Sequence, residues 1–448
     1  MQMKNIILTS SLLLCNFAQA QDSLYLQSKR FSLHMQETTV SQYRKSFAAP
    51  YSGAHSQTTN DEWATTITST FFASMRPWKN AVICVNPEIA GGHGLSTAFG
   101  IAAFTNGEAF RVGNPDPTFY LARAFYRHYI PISSDRIIQE DAENKVLMNL
   151  PKNYLSITVG KISIADYFDD NTFSHNARTQ FMCWGLMSNA AWDYPANTRG
   201  YTPSVLIEFV NETFEARYAF SMMPKNANGN IMDLNINKAN ANSFELKYKY
   251  KIGVQNGKIS ALAFYNTGFF GKYSASNLVT GLDPNLPGVF KTDYTIVASR
   301  QYGRSKYGFG INLEQYIQKN IGVFLKASYN DGNNETWCFT EIDQAASAGI
   351  SIKGDKWKRK DDTFGLAYCI SGISPQHQNY LKNGGLGFML GDGRLNYAKE
   401  QVLESYYAMN LNQGRIIPSL VYQFVLNPGY NHDRGPIHVY SIRVHVNI

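Results

Sequence analysis

The chain has 448 residues, of which 44% are hydrophobic, 14% aromatic and 17% charged, with a formal net charge of +7. Its basic residues are dispersed rather than clustered, which makes nucleic acid a poor partner. The mean hydropathy is -0.28, and beyond the N-terminal segment no apolar run reaches the roughly 18 residues that a membrane helix needs.

The N-terminus has the pattern of a secretory signal. Lys4 precedes an apolar stretch from Ile6 to Leu14, and Ala18-Gln19-Ala20 is a small-residue cleavage site. We therefore expect a signal peptide over residues 1–20 and a single exported domain over residues 21–448. Cys15 raises a lipoprotein signal as an alternative, but Leu14 is not the small residue that such cleavage prefers.

The rest of the chain alternates with a period of two residues. Near residue 250, apolar Phe244, Leu246 and Tyr248 alternate with charged Glu245 and Lys247. Strands with an apolar ribbon and a charged ribbon are typical of a barrel with lipid outside and water inside. A soluble sandwich also alternates, but its strands rarely carry charged faces this extensive. We predict strands near residues 31–43, 64–77, 79–90, 119–131, 153–163, 201–211, 213–222, 243–255, 257–267, 305–316, 320–330, 335–353, 362–372, 403–412, 415–426 and 436–448.

This count predicts an all-β fold, a transmembrane antiparallel β-barrel of about 16 strands with long extracellular loops, some folded into the lumen. Short turns and long loops fall on opposite sides of the membrane, as barrels of this kind require. Residues 132–152 are an exception, a long periplasmic connection for which we predict a helix from Ser134 to Met148. Strand-like Lys291 to Gln301 is excluded from the barrel, because a seventeenth strand would reverse the sides of the later loops.

Selectivity in so wide a barrel requires side chains that project into the lumen. Carboxylates and guanidinium groups can bind sugar hydroxyls, and aromatic rings can cover the apolar face of a pyranose. The loop 164–200 is rich in both, and the loop 91–118 and the strand after it add further charges. The predicted substrate-binding or constriction residues are Glu108, Arg111, Arg123, Asp169, Asp170, Arg178, Trp184 and Trp192. The alternatives are a loop held by its own salt bridges and arginines that are merely solvated.

Several motifs in chain order resemble the carbohydrate-selective porin family (OprB-type) of Gram-negative outer membranes. The matching segments include Phe47-Ala-Ala-Pro-Tyr-Ser-Gly53, Asn86-Pro-Glu-Ile-Ala-Gly-Gly92, Asn106-Gly-Glu-Ala-Phe-Arg-Val-Gly113, Asp166-Tyr-Phe-Asp-Asp-Asn171, Ala177-Arg-Thr-Gln-Phe181, Tyr307-Gly-Phe-Gly-Ile-Asn-Leu-Glu-Gln315 and Asn427-Pro-Gly-Tyr-Asn431. The resemblance implies an outer-membrane porin, exported through the periplasm, through which glucose-like monosaccharides diffuse passively. It places charged residues of inward-folded loops at the narrowest point. The chain departs from outer-membrane barrels in general by ending in Ile448 instead of an aromatic residue, which bears on membrane insertion.

Other functions find less support in the sequence. The adjacent pairs His55-Ser56 and Ser174-His175 are the only obvious hydrolase candidates, and neighbours on an extended chain point to opposite sides, so we predict no enzyme activity. No cofactor and no metal site are predicted. A plugged barrel that acts as a ligand-binding receptor or adhesin remains the alternative. The expected partners are sugars, outer-membrane lipid and lipopolysaccharide, with monomer and homotrimer both open.

The four cysteines of the expected mature chain, Cys84, Cys183, Cys338 and Cys369, have no metal-binding or disulfide spacing. We therefore predict that they are packing residues.

Overall fold

The computed structural model describes residues 30–109, 115–282 and 290–448. The predicted signal peptide, residues 1–20, lies outside them. Within the described residues, sixteen antiparallel strands form a closed barrel, each paired with its neighbour and the last with the first. In ring order they are β1 (Phe31–Arg44), β2 (Glu62–Met75), β3 (Ala81–Gly92), β4 (Thr118–Pro131), β7 (Tyr154–Ile162), β8 (Thr202–Val210), β9 (Phe214–Met222), β10 (Asn240–Ile252), β11 (Gln255–Phe270), β14 (Gln301–Gln318), β15 (Ile321–Asn330), β16 (Gln344–Gly354), β17 (Arg359–Gly372), β18 (Glu400–Ala408), β19 (Ile416–Leu426) and β20 (Ile437–Asn447).

The closing strand β20 shows how the sequence determines the two faces of the wall. Its apolar residues Tyr440 and Ile442 are exposed on the outside, whereas Arg443 and His445 are buried on the inside. Successive side chains of a strand point to opposite faces, so an apolar exterior and a polar interior follow directly from the alternation. This is the inverse of a soluble sandwich and is the arrangement that a lipid environment stabilises.

Each predicted barrel strand corresponds to an observed one. The largest difference is the strand predicted over 335–353, which begins only at Gln344. The preceding residues are buried as a loop, in which the backbone N–H groups of Trp337 and Cys338 donate to the Asp193 carboxylate. A second difference is a shift of two to four residues at several strand ends, the largest at the end of β18 and the start of β14.

The connections differ in length at the two ends of the barrel. One end, called here the long-loop end, carries the connections 45–61, 93–117, 163–201, 223–239, 271–300, 331–343, 373–399 and 427–436. The other, called the short-turn end, carries 76–80, 132–153, 211–213, 253–254, 319–320, 355–358 and 409–415. The predicted asymmetry is therefore confirmed, with 132–153 as the long exception at the short-turn end.

The helix predicted from Ser134 to Met148 is wrong. The segment forms a hairpin of β5 (Arg136–Gln139) and β6 (Met148–Pro151). Val146, Met148 and Leu150 are buried at every second position, a spacing that a strand places on one face and a helix would divide between two.

The strand-like segment Lys291 to Gln301, which is predicted to lie outside the barrel, also contributes to a hairpin. Strand β13 (Phe290–Thr295) pairs with β12 (Asn277–Leu282) in the connection 271–300, outside the barrel sheet. The decision against a seventeenth barrel strand is confirmed.

Within residues 30–109, 115–282 and 290–448, helices are short and confined to connections. They are α1 (Trp184–Met187) and α2 (Pro375–Lys382), together with 3-10 turns at Leu95–Ala98, Ile164–Asp166, Tyr273–Ala275, Val297–Ser299, Asp355–Trp357, Asn412–Gly414 and Pro428–Tyr430. In the described parts of the chain no helix combines the length and the apolar character needed to cross a membrane. Cys84, Cys183, Cys338 and Cys369 are buried with free thiols, which confirms the prediction that they are packing residues.

Candidate functional site

The connection 163–201, called here the crossing loop, hydrogen-bonds to strands on opposite sides of the barrel. On one side, the backbone N–H of Asp169 donates to Glu245 Oε2 of β10 at 2.7 Å. On the other, the Arg443 guanidinium of β20 donates to the carbonyl oxygens of Ala177 and Gln180 at 2.7 and 2.6 Å. Strands β10 and β20 are the eighth and sixteenth in the ring, so the loop bridges the interior.

Buried carboxylates of the wall fix the loop further. Glu404 of β18 accepts the backbone N–H groups of Met182 and Cys183 at 2.7 and 2.8 Å. Glu314 of β14 accepts both the N–H and the hydroxyl of Thr172. Hydrogen bonds to charged acceptors are among the stronger ones in proteins, at about 1.5–3 kcal/mol each. The wall thus specifies the loop conformation through the loop backbone.

The two predicted aspartates have different surroundings. Asp169 is buried and accepts hydrogen bonds from the side-chain amides of Asn189 and Asn312 at 2.6 and 2.7 Å. It is thus part of the loop anchor. The Asp170 side chain is 45% exposed and lies 3.2 Å from Lys247 Nζ and 3.3 Å from Lys258 Nζ. Burial opposes its ionisation, but these two ammonium groups prevail and hold the pKa of Asp170 well below its usual range.

Arg178 and Glu108, which are both predicted site residues, form an ion pair. Arg178 Nε donates to Glu108 Oε2 at 3.0 Å, and Arg178 Nη2 lies 3.5 Å from Glu88 Oε2 of β3. The Arg178 and Glu108 side chains are 15% and 14% exposed. Burial disfavours the charged guanidinium, but the two carboxylates outweigh it and raise the pKa of Arg178. The group is therefore a fixed positive charge at any working pH.

Arg123 lies on the inner face of β4 and pairs with Asp166 of the crossing loop. Its Nε and Nη2 donate to the two carboxylate oxygens at 2.6 Å each. This bidentate geometry fixes both side chains. The guanidinium carbon also lies 5.1 Å from the centre of the Tyr201 ring.

Tyrosines form a second set of groups on this side, and the sequence reasoning missed them. Arg127 lies 4.8 Å from the ring centre of Tyr129 and 5.4 Å from that of Tyr167, and Arg199 lies 3.9 Å from that of Tyr120. The sequence contains part of this arrangement in the spacing of Arg127 and Tyr129. Arg127 and Tyr129 share one face of β4, because residues two apart on a strand do so.

Trp184 and Trp192 are both buried among other aromatic rings. Trp184 stacks on Phe104, Tyr194 and Phe339 with ring centres 5.3, 5.6 and 5.3 Å apart. Trp192 is 2% exposed and contacts Tyr194. Both therefore belong to an aromatic cluster that packs the crossing loop against its neighbours. Arg111, the remaining predicted site residue, lies outside the described residues.

The partly exposed groups thus form a strip of alternating charge beside tyrosine rings, on the side of the crossing loop that faces β3, β4, β10 and β11. Such a strip can exchange hydrogen bonds with solute hydroxyls without a large potential of either sign.

The sequence of the chain matches a known family. The family model described as carbohydrate-selective porin, OprB family, matches residues 55–448. The chain belongs to this family.

Solved structures show the same fold as this OprB-family chain. The high-pH structure of Pseudomonas putida OprB superposes with a TM-score of 0.68 at 11% sequence identity, covering 96% of this chain and 97% of that one. The low-pH structure of the same protein gives a TM-score of 0.50 at 9% identity, covering 94% and 93%. No curated protein matches the chain by sequence.

Family and fold together establish the general function. This OprB-family chain is a carbohydrate-selective channel of the Gram-negative outer membrane, and a channel rather than an enzyme.

Proposed function

We propose that neutral monosaccharides diffuse passively through this barrel along the exposed side of the crossing loop, where the loop and the wall narrow the bore. The observation that carries the proposal is the two-sided anchoring of the loop between β10 and β20. A loop held at both walls reduces the bore wherever it crosses, and its partly exposed side is charged.

The balance of charges at the narrowing favours a neutral polyol. Arg123, Arg178 and Lys258 provide three positive groups, and each pairs with a carboxylate, respectively of Asp166, Glu108 and Asp170. Paired charges leave little net potential to concentrate one ion, while each group retains lone pairs or N–H donors for a solute. Sugar hydroxyls both donate and accept, so they can bridge such pairs.

Tyrosine rings offer the apolar contact that a pyranose also requires. Tyr120, Tyr167 and Tyr201 lie among the arginines of the strip. Tyr120 and Tyr201 also donate their hydroxyls to Glu88, which fixes the orientation of both rings. We therefore infer that the partly exposed Tyr120 and Tyr167, with Arg123 and Arg178, form the sugar path. The buried rings of Tyr201, Trp184 and Trp192 support this path from behind.

Single-channel recording in planar bilayers tests the proposal. Purified protein should give stable conductance steps that glucose blocks in a concentration-dependent way. Swelling of protein-containing liposomes should be faster in a monosaccharide than in a trisaccharide of equal osmolarity. A barrel without conductance steps that still binds sugar would support the plugged receptor instead. Steps that no monosaccharide blocks or uses would contradict the proposed path.

A further inference from the structure

The β5–β6 hairpin at the short-turn end lies against the inner wall of the barrel. Its turn closes with the backbone N–H of Lys145 donating to Ala142 O at 2.9 Å. Asn144, at the tip, accepts a hydrogen bond from Asn86 Nδ2 of β3 at 2.8 Å. Its carbonyl oxygen lies 3.6 Å from Cys84 Sγ on the same strand. Asn86 and Cys84 are both fully buried and face inward.

The hairpin reaches about half-way along the wall. Asn86 is the sixth of the twelve residues of β3, and strands rise about 3.3 Å per residue. The tip therefore contacts β3 at a point roughly 17 Å along the strand from its first residue. Two residues further, on the same face, Glu88 contacts Arg178 of the crossing loop. The hairpin and the crossing loop enter the barrel from opposite ends. They thus contact the inner face of β3 at two residues, Asn86 and Glu88, that lie about 7 Å apart along the strand.

An apolar patch explains why the hairpin is seated there. The inner faces of β3 and β4 carry Val82 and Phe125 at positions where a water-filled bore would select polar residues, and both are buried. Val146 and Met148 of the hairpin are buried as well, and β6 packs against β4. The opposite face of the hairpin, with Ile138, is exposed. Apolar burial therefore fixes one face of the hairpin to the wall and leaves its polar tip in the bore.

The tip carries charge into the bore. Glu140, Asp141, Glu143 and Lys145 are exposed around the turn, which gives three carboxylates and one ammonium group. Asp141 Oδ2 lies 3.5 Å from His34 Nε2 on the inner face of β1. The crossing loop above presents balanced pairs, so the tip is the more acidic of the two narrowings.

We propose that the β5–β6 hairpin is a second filter, which a solute meets after the crossing loop and which makes the short-turn half of the channel narrower and selective for cations over anions. This inference rests on the proposed open channel. It adds a specificity element that the sequence did not predict.

Val146→Asp tests the seat of the hairpin, with Ile138→Asp as the matched control on its exposed face. Because two paired strands fill a strip about 10 Å wide, release of the hairpin should raise single-channel conductance about twofold. Ile138→Asp should conduct like the wild type. Both variants must first show the heat-modifiable gel migration of a folded barrel.

Two further variants keep the inference testable if Val146→Asp fails to fold. Asn144→Cys places a thiol beside Cys84, and mild oxidation should join them in the folded barrel, with a shift in gel mobility that reductant reverses. Neutralising Glu140, Asp141 and Glu143 together as amides should move the reversal potential in a salt gradient toward anions.

The outcomes separate the two proposals. Wild-type protein without conductance steps would remove the channel proposal. Wild-type steps with sugar block, together with equal conductance of Val146→Asp and Ile138→Asp, would leave the channel intact and overturn the second filter. Absence of the Cys84 crosslink in folded Asn144→Cys would also overturn it.

Discussion

Replacing Arg178 by Ala should change the ion selectivity of the channel in a direction that the structure fixes. The substitution removes one positive charge beside Glu108 and Glu88, whose carboxylates lie 3.0 and 3.5 Å from the guanidinium. An ion that passes about 5 Å away loses an interaction of about 0.8 kcal/mol in water. Salt at 0.1 M reduces this to about 0.5 kcal/mol. The permeability of each ion should therefore change about twofold, upward for cations and downward for anions, so that the permeability ratio shifts about fivefold toward cations.

The same substitution should weaken sugar block, because Arg178 supplies directed N–H donors. Arg178→Lys keeps the charge without the planar fork, so it should retain the ion selectivity and still bind glucose more weakly. Arg415→Ala, at the exposed short turn 409–415, is the control for loss of a positive charge elsewhere. The measurements are the reversal potential in a salt gradient and the glucose concentration that halves the current. If Arg178→Ala matches Arg415→Ala in both, Arg178 does not lie in the path.

Two further predictions concern the crossing loop. Trp184→Ala should destabilise the loop by about 3–5 kcal/mol, because a large buried aromatic side chain is removed. Protease cleavage within 163–201 should therefore become faster. The control is Leu234→Ala, in another long loop and 86% exposed, which should leave the cleavage rate unchanged. The lowered pKa of Asp170 means that its pairs with Lys247 and Lys258 stabilise the loop above the ordinary aspartate pKa of about 4 and lose that contribution as pH falls through the lowered value. Glucose block should thus stay constant from about pH 8 to about pH 5, and a change in that range that Asp170→Asn abolishes would contradict this reasoning.

The wall could be predicted from the sequence because lipid and water impose opposite demands on alternate residues. In β20 each residue from Tyr440 to His445 lies on the face that its polarity indicates. The prediction failed where the chain leaves the lipid. In the hairpin 136–151 one face is buried and the other exposed within the protein, and the short period-two run around Val146 and Met148 was mistaken for a helix. At Gln344 the strand begins late, because the preceding residues pack inside the barrel.

The sequence indicated in part which of the predicted charged residues lie together, but not where the predicted tryptophans lie, and the role of all of them in solute binding stays a prediction. Arg178 and Glu108, from two loops, do meet. Loop sequence alone does not tell which side chain is exposed, so Trp184 and Trp192 were grouped with the charges although both are buried. The tyrosines beside the arginines were missed because Tyr120 lies in β4 and Tyr201 lies just before β8. The pairing of both strands with β7 brings the two rings together.

The attachment of the crossing loop to the last strands has a consequence for biogenesis. Glu404 and Arg443 hold loop residues that precede them by more than 200 positions in the chain. Contacts this distant in sequence form late, so the loop reaches its final position only when β18 to β20 have joined the sheet. An assembly intermediate that lacks those strands would have a crossing loop that is not yet in its final position. The cell is therefore protected from leakage only after β20 has paired with β1.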